Sequence, residues 1–129
     1  MIIRPLLGLI LGLILLAPPT RAADCPVERS GEAISDAIEK APTCAAAQKV
    51  FEACAYVASI DTSFGAIVTE KCEKDFLTKL NASQRKTYDG AKQACTDKYA
   101  MKEGTMYRSF EAMCISKLAV SYSKKFAGK

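Results

Sequence analysis

Apolar side chains recur every three or four residues from about residue 30 to the end of the chain, which is the spacing of one helix face. Strand-like alternation of apolar and polar positions lasts only a few residues anywhere in this region. Alanine, lysine and glutamate, which favour helices, are abundant between the apolar positions. The pattern therefore predicts an all-α protein, a small bundle of four to five helices.

Breaks in the pattern delimit the first two helices. Ser30-Gly31 is expected to open a short helix that runs to about Ala41, where the following Pro42 stops it. Thr43 is a suitable N-cap for the next helix. The apolar stripe of that second helix comprises Cys44, Ala47, Phe51, Cys54 and Ala58.

The third helix is expected to be capped by Asp61-Thr62-Ser63 and to end before Asn81-Ala82-Ser83, which interrupts the pattern. The sequence leaves open whether a new helix starts at Asp61 or whether one long helix only bends there. Successive members of its apolar stripe are four residues apart, namely Phe64, Val68, Cys72, Phe76 and Leu80.

Two further helices meet at Gly104-Thr105, which is expected to end the fourth helix and cap the fifth. The fourth helix carries an apolar stripe of Tyr88, Ala91, Cys95 and Tyr99. The stripe of the fifth helix consists of Phe110, Cys114, Leu118, Tyr122 and Phe126.

The N-terminal segment predicts an export signal. Met1–Arg4 carries one positive charge, the apolar run Leu6–Ala17 follows, and small residues end at Ala22-Ala23. This apolar run is shorter than the roughly 20 residues of a membrane-spanning helix, which favours a cleaved signal. We therefore expect a secretory signal peptide over residues 1–23 and one helical domain over residues 24–129. The mature chain is expected to be secreted or periplasmic, with no membrane span.

Six cysteines follow the predicted signal, and an even number in an oxidising compartment indicates a disulfide framework. They are Cys25, Cys44, Cys54, Cys72, Cys95 and Cys114. Cys95 and Cys114 lie at similar distances on either side of Gly104-Thr105. Antiparallel helices that fold at this turn would bring the two residues together, so the sequence predicts that they pair.

The partners of the earlier cysteines depend on the path of the chain. Cys54 and Cys72 are also similarly spaced about Asp61-Ser63, and they can pair if the chain reverses there. If it does not reverse, both must find other partners. Cys44 and Cys54 cannot pair within one helix, because a separation of ten residues puts them about 15 Å apart.

Composition bears on which kinds of chemistry are expected. The chain has no histidine and no Cys-x-x-Cys pair, so zinc sites, thioredoxin-like redox activity and the usual catalytic triads lack support. Without Arg4 and Arg21, 16 basic residues remain against 14 acidic ones, and a charge of +2 is too small to indicate nucleic acid. We expect a binding protein, not an enzyme, with no metal or cofactor. Three methionines are expected to fill core and turn positions: Met101, Met106 and Met113.

The C-terminal half resembles a known family. Gln84 stands eleven residues before Cys95, then come the turn segment 104–107, Cys114 and Leu118. The turn segment reads Gly-Thr-Met-Tyr. This arrangement resembles the LprI-like family (lysozyme inhibitor LprI, N-terminal type) of small secreted helical proteins. In that family a glutamine-led helix ends in a cysteine, and a turn then precedes a second cysteine-bearing helix.

The resemblance covers most of residues 44–126. Cys44 and Cys54 resemble the opening cysteine pair of the family, and Asp61 with Phe64 resembles its Asp-x-x-Leu-Asn segment. The chain departs from the usual residues of the family at Gly65, Thr87 and Ala91.

The resemblance implies an exported helical domain that binds a protein, and at least one class of relatives is described as binding and inhibiting lysozyme. Cys25 and Cys72 are additional to the four cysteines of the family and can pair with each other, and the two bonds other than Cys95–Cys114 stay open. A local acidic face containing Glu103 and Glu111 would suit a basic lysozyme. The alternative is an envelope protein-interaction module with no inhibitory activity. The sequence does not indicate an oligomeric state.

The expected contact surface is the tip of the hairpin around Gly104-Thr105. A disulfide below the tip would hold it rigid and reduce the entropic cost of binding. The candidate contact residues are Glu103, Thr105, Tyr107 and Arg108.

Overall fold

The computed structural model describes residues 23–56 and 59–128. The described residues form five α-helices and no strand, so the predicted all-α, disulfide-stapled bundle is confirmed. The helices are α1 (Gly31–Lys40), α2 (Cys44–Cys54), α3 (Asp61–Phe76), α4 (Ala82–Tyr99) and α5 (Thr105–Phe126), with a 3-10 turn at Leu77–Lys79. The predicted signal peptide falls almost entirely outside the described residues. Among the helices described here, none combines the length and the apolar character needed to cross a membrane.

Local capping fixes the start of three helices. The Ser30 side chain accepts a hydrogen bond from the Ala33 N–H at 3.3 Å, and the Thr43 hydroxyl accepts one from the Ala46 N–H at 3.0 Å. Asn81 and Gln84 form a reciprocal capping box at the start of α4, with bonds of 2.8 and 2.9 Å. These side chains satisfy backbone N–H groups that have no partner within the helix. The start of each of these helices is therefore determined by a residue within three positions of it.

Successive helices alternate in direction. The N-terminus of α1, the α2–α3 connection and the α4–α5 turn lie at one end of the bundle, where the Ser109 hydroxyl donates to Asp61 Oδ2 at 2.6 Å. At the opposite end, Lys79 donates to the carbonyl oxygen of Ala127. α3 and α5 pack together along the centre, α1 and α2 cover one side, and α4 packs mainly on α5.

The hydrophobic core is centred on α3. Phe64, Val68 and Phe76 have no exposed surface, and the ring of Phe76 meets that of Tyr88 edge-on with centroids 5.0 Å apart. Full burial of one such side chain contributes about 1.5–3 kcal/mol. Other fully buried core side chains come from the flanking helices: Ile34, Ile38 and Phe51. The predicted apolar stripes therefore face a common centre.

The central pair α3 and α5 approaches most closely at Gly65. A Cβ atom at this position would lie 2.8 Å from the Ala112 Cβ and 3.1 Å from the Ala112 carbonyl oxygen. Only glycine allows this backbone-to-backbone contact without moving a helix.

The three disulfides join Cys25 to Cys54, Cys44 to Cys72 and Cys95 to Cys114. The predicted Cys95–Cys114 bond is confirmed. The other two bonds, which the sequence left open, are neither of the pairings considered: Cys25–Cys72 and Cys54–Cys72 do not form. The described residues contain no free cysteine.

The location of the chain reversal explains these pairings. A new helix starts at Asp61, so the chain reverses between the end of α2 at Cys54 and the start of α3, and not at Asp61-Ser63. Cys44 is the first residue of α2 and Cys72 lies in the last third of α3, so the antiparallel helices bring them to one level. Cys54 lies at the other end of α2, and Cys25, in the segment before α1, lies next to it.

Some local expectations also differ from the structure. Asp61 and Thr105 are the first residues of α3 and α5, and neither helix has a side-chain cap. Leu80 follows the 3-10 turn and lies beyond α3, although it packs against the core. α2 ends at Cys54, and Ala58, expected on its stripe, lies outside the described residues.

Candidate functional site

Four aromatic side chains meet at the end of the bundle that carries the α2–α3 connection and the α4–α5 turn. We call this surface the aromatic end and define it by Tyr56, Tyr99, Tyr107 and Phe110. The ring centroid of Phe110 lies 5.7 Å from that of Tyr56 and 6.1 Å from those of Tyr99 and Tyr107. The aromatic end therefore joins the α2–α3 connection to the end of α4 and the start of α5, which lie more than 40 residues after Tyr56 in the sequence.

Exposed apolar surface is concentrated at this end. Among the described residues, five large hydrophobic side chains are exposed, and each lies in the α2–α3 connection or the α4–α5 turn region. They are Tyr56 (57% exposed), Ile60 (36%), Met101 (92%), Met106 (60%) and Tyr107 (36%). Exposed apolar residues that cluster in this way mark interaction surfaces more often than scattered ones do.

The position of Tyr56 is fixed by a buried carboxylate. Tyr56 has φ of 67°, a left-handed conformation that is unusual for a residue other than glycine. Asp61, which is fully buried, accepts the Tyr56 N–H at 2.7 Å and the Ser109 hydroxyl at 2.6 Å, both on Oδ2. This clamp holds the α2–α3 connection against α5 and leaves the Tyr56 ring more than half exposed.

The α4–α5 turn depends on Gly104 and Arg108. Gly104 has φ of 108°, a backbone conformation that strongly favours glycine. Arg108 Nη2 donates to the carbonyl oxygens of Tyr99 and Lys102, the latter at 3.3 Å, and Nη1 donates to Glu111 Oε2 at 2.7 Å. Arg108 therefore ties the C-terminus of α4 to α5.

The structure places the four candidate contact residues at the tip in different roles. Glu103 and Thr105 are exposed, and Tyr107 has 36% exposure with its ring against Tyr99 and Phe110. Arg108 is half-buried and is occupied by the backbone bonds of the turn. The expected acidic face of Glu103 and Glu111 is divided, because Glu111 is paired with Arg108.

The two aromatic-end residues on α4 and α5, Tyr99 and Phe110, were predicted as stripe members. Sequence reasoning missed Tyr56, because its ring meets Phe110 only through the tertiary fold. One sequence feature could have indicated its position: Tyr56 follows the end of α2, and Asp61, which can accept a hydrogen bond from its backbone, comes five residues later. Of the methionines, Met113 is in the core, whereas Met101 and Met106 are exposed at the turn.

A second concave region runs along the seam of α3 and α5, and we call it the α3–α5 groove. Its volume is about 340 Å³, and Gly65, Ala66, Ala112 and Ile115 form its apolar lining. Carboxylates of Glu70, Glu73 and Glu111 and the bases Lys92 and Arg108 also line it. Lys92 is the residue that α4 contributes.

Glu73 anchors α4 beside the groove. Its Oε1 atom accepts hydrogen bonds from the Tyr88 hydroxyl at 2.9 Å and from Lys92 Nζ at 2.7 Å. Burial of the phenol, reinforced by the hydrogen bond to Glu73 and its negative charge, raises the pKa of Tyr88 far above its ordinary range. Tyr88 therefore stays protonated and acts as a donor.

Within residues 23–56 and 59–128, histidine, cysteine, aspartate and glutamate side chains form no cluster arranged to hold a metal ion. Comparison with models of known protein families, with curated proteins and with solved structures finds no match to this chain. The LprI-like resemblance of the motifs therefore stays a prediction.

Proposed function

We propose that this chain is an exported binding protein whose aromatic end contacts another protein. The observation that carries the proposal is the concentration of all five exposed large apolar side chains of the described residues at that end. Tyrosine, phenylalanine and methionine are enriched in the cores of protein interfaces. Three disulfides and the predicted signal peptide support an oxidising location, secreted or periplasmic.

Rigidity favours binding at this surface. The Cys95–Cys114 bond ties α4 to α5 below the turn, Arg108 holds the turn itself, and Asp61 clamps Tyr56. A surface that is ordered before binding loses less conformational entropy on association. The aromatic rings would therefore contribute their contact energy with little reorganisation.

Lysozyme is the specific partner that we propose, on the basis of the LprI-like motifs. Glu103 forms no hydrogen bond or ion pair with the described residues, so its charge is available to a basic partner next to the aromatic rings. The second candidate is another envelope protein, which the same apolar surface would contact without inhibition.

The test measures lysis of bacterial cell walls by lysozymes of several classes in the presence of the oxidised protein. We expect slowed lysis by at least one class. Met106→Ser and Tyr107→Ala should each weaken inhibition about tenfold or more, since a few central apolar and aromatic contacts carry much of the energy of interfaces. Lys86→Ala, an exposed change near the opposite end of α4, is the matched control and should leave inhibition unchanged.

Lysis that stays unchanged at a large molar excess over every lysozyme would reject the inhibitor proposal. Affinity capture from envelope extract would then compare the wild-type protein with the same variants. A partner whose capture depends on Met106 and Tyr107, and not on Lys86, would support the envelope-binding alternative. Capture that is insensitive to all three residues would reject the aromatic end as the contact surface.

A further inference from the structure

We infer that Met101 and Met106 are sites at which a peroxide oxidises methionine to its sulfoxide, and that this modification makes the apolar surface at the aromatic end polar. In the reaction the Sδ atom attacks one oxygen of hydrogen peroxide, and an S–O bond forms as the O–O bond breaks. The other oxygen takes up the proton of the first and leaves as water. Sulfur loses two electrons and the peroxide gains them. The effect on a partner rests on the proposed function, whereas the reaction and the change of the surface do not.

The composition of the chain directs the oxidant to methionine. All six cysteines are joined in disulfides, so no thiolate competes for the peroxide. Tryptophan and histidine, which also react with strong oxidants, are absent from the chain. The expected secreted or periplasmic location lies outside the cytosolic thiol pool that would consume peroxide. The thioether is therefore the side-chain group that a peroxide attacks first.

Exposure selects among the methionines that the structure describes. Met101 is 92% exposed and Met106 is 60% exposed, whereas Met113 is 8% exposed and lies in the core. The Sδ atom of Met113 also accepts a hydrogen bond from Gln48 Nε2 at 3.1 Å. Because Gln48 belongs to α2 and Met113 to α5, a peroxide reaches this sulfur only when the two helices separate. Met113 is therefore an internal reference for oxidation of a protected site.

The two exposed methionines lie where a change of polarity affects the aromatic end most. Met101 follows the end of α4 at Tyr99 by two residues, and Met106 is the second residue of α5, next to Tyr107. They are the two most exposed of the five large hydrophobic side chains at this end. A sulfoxide is a strong acceptor, so its burial in an interface without a donor is unfavourable. Oxidation should therefore weaken apolar contacts there without disturbing the core.

The experiment treats the disulfide-bonded protein with hydrogen peroxide, stops the reaction with catalase and locates the added oxygen by mass spectrometry of peptides. We expect Met101 and Met106 to be oxidised about tenfold or more faster than Met113, because susceptibility follows exposure. Retention of the folded protein on a phenyl resin should fall as these two sites react. The helical CD signal should stay unchanged, because neither methionine packs in the core.

The double variant Met101→Leu/Met106→Leu is the matched control. Leucine keeps an apolar side chain of similar size and suits a helix, but it has no sulfur to oxidise. Each protein is compared with its own untreated form, so a difference in starting retention does not matter. Peroxide should lower the retention of the wild-type protein and leave that of the double variant unchanged.

The same samples are then assayed for inhibition of lysozyme or for capture of an envelope partner. Peroxide should raise the Kd of the wild-type protein about tenfold, since an unpaired polar group in an interface costs about this much. It should leave the Kd of the double variant at its untreated value. If the untreated wild-type protein binds no partner, the proposed function fails, and peptide masses and resin retention still decide the inference.

Four results would overturn the inference. Met113 is oxidised as fast as Met101 and Met106, or resin retention does not change when the two sites react. The double variant loses as much retention as the wild-type protein, or loss of the helical CD signal accompanies the change. A partner that binds the treated and untreated wild-type proteins equally would also overturn it, because the modification would then not affect the contact surface.

Discussion

The buried carboxylate of Asp61 accepts the backbone N–H of Tyr56 at 2.7 Å, and this bond holds an exposed tyrosine in a left-handed backbone conformation. The arrangement is costly, since an L-residue in this region carries about 1–2 kcal/mol of strain. This conformation places the Tyr56 ring, which belongs to the α2–α3 connection, in contact with Phe110 on α5. The aromatic end is therefore continuous across three segments.

Replacement of Tyr56 separates backbone strain from ring contact. Tyr56→Gly relieves about 1 kcal/mol of strain and loses an edge-to-face contact worth about 0.5–1.5 kcal/mol, so its free energy of unfolding should stay within about 1 kcal/mol of wild type. Tyr56→Ala loses the contact and keeps the strain, so it should be about 1 kcal/mol less stable than Tyr56→Gly. Urea denaturation measures both, and equal stabilities of the two variants would contradict the left-handed assignment.

Removal of the Asp61 clamp should destabilise the fold. Asp61→Ala leaves the Tyr56 N–H and the Ser109 hydroxyl without their shared acceptor. Asp61 Oδ1 is buried without a partner among the described residues, and this desolvation offsets part of the stability that the two hydrogen bonds to Oδ2 contribute. We therefore expect the free energy of unfolding to fall by about 2 kcal/mol. Asp36→Ala, which removes an exposed i,i+4 pair with Lys40, is the control and should cost less than about 0.5 kcal/mol. Equal losses in urea denaturation would reject the clamp.

Two glycines in helices should respond in opposite directions to alanine. Gly65→Ala places a methyl group 2.8 Å from the Ala112 Cβ and forces α3 and α5 apart, at a cost of about 1–3 kcal/mol. Gly90, in α4, has nothing within 4 Å of an added Cβ, so Gly90→Ala should stabilise by about 0.5–1 kcal/mol through helix propensity. Thermal unfolding of the two variants gives the comparison, and stabilisation by both would show that α3 and α5 are farther apart.

The raised pKa of Tyr88 predicts a loss of stability at alkaline pH. Between the unfolded pKa of about 10 and the higher folded pKa, the unfolded state has lost the phenolic proton and the folded state keeps it. This contribution to stability is therefore complete below pH 10 and should fall by about 1.4 kcal/mol per pH unit above it. The measurement is urea denaturation from pH 8 to 11. Tyr88→Phe removes the group, and a difference from wild type that is constant with pH would contradict the prediction.

The Cys95–Cys114 disulfide should control the stability of the C-terminal half of α4. α4 packs mainly on α5, so its distal half depends on this bond, whereas Tyr88 anchors the proximal half in the core. The double variant Cys95→Ala/Cys114→Ala should lose about 2–4 kcal/mol and exchange amide hydrogens faster around residues 95–104. Cys25→Ala/Cys54→Ala, the comparison, should expose the start of α1 and the end of α2 instead. Faster exchange throughout both variants would indicate one cooperative unit.

The sequence by itself determined the helices and one disulfide. Ser30, Thr43 and Asn81 begin helices because a cap satisfies backbone donors within three residues, and such an interaction does not depend on the rest of the fold. Cys95 and Cys114 pair as predicted, because a short turn at Gly104-Thr105 fixes the relative level of the two helices that it joins.

Only the tertiary structure decided the remaining pairings and both candidate sites. The partner of Cys44 depends on where the chain reverses, and an error of a few residues in the turn changes which cysteines share a level. The sequence predicts that Asp61 caps α3, yet its side chain accepts hydrogen bonds from Tyr56 in the preceding connection and from Ser109 on α5. The aromatic end and the α3–α5 groove each combine residues from separate helices, and their distances are set by packing, which no local pattern encodes.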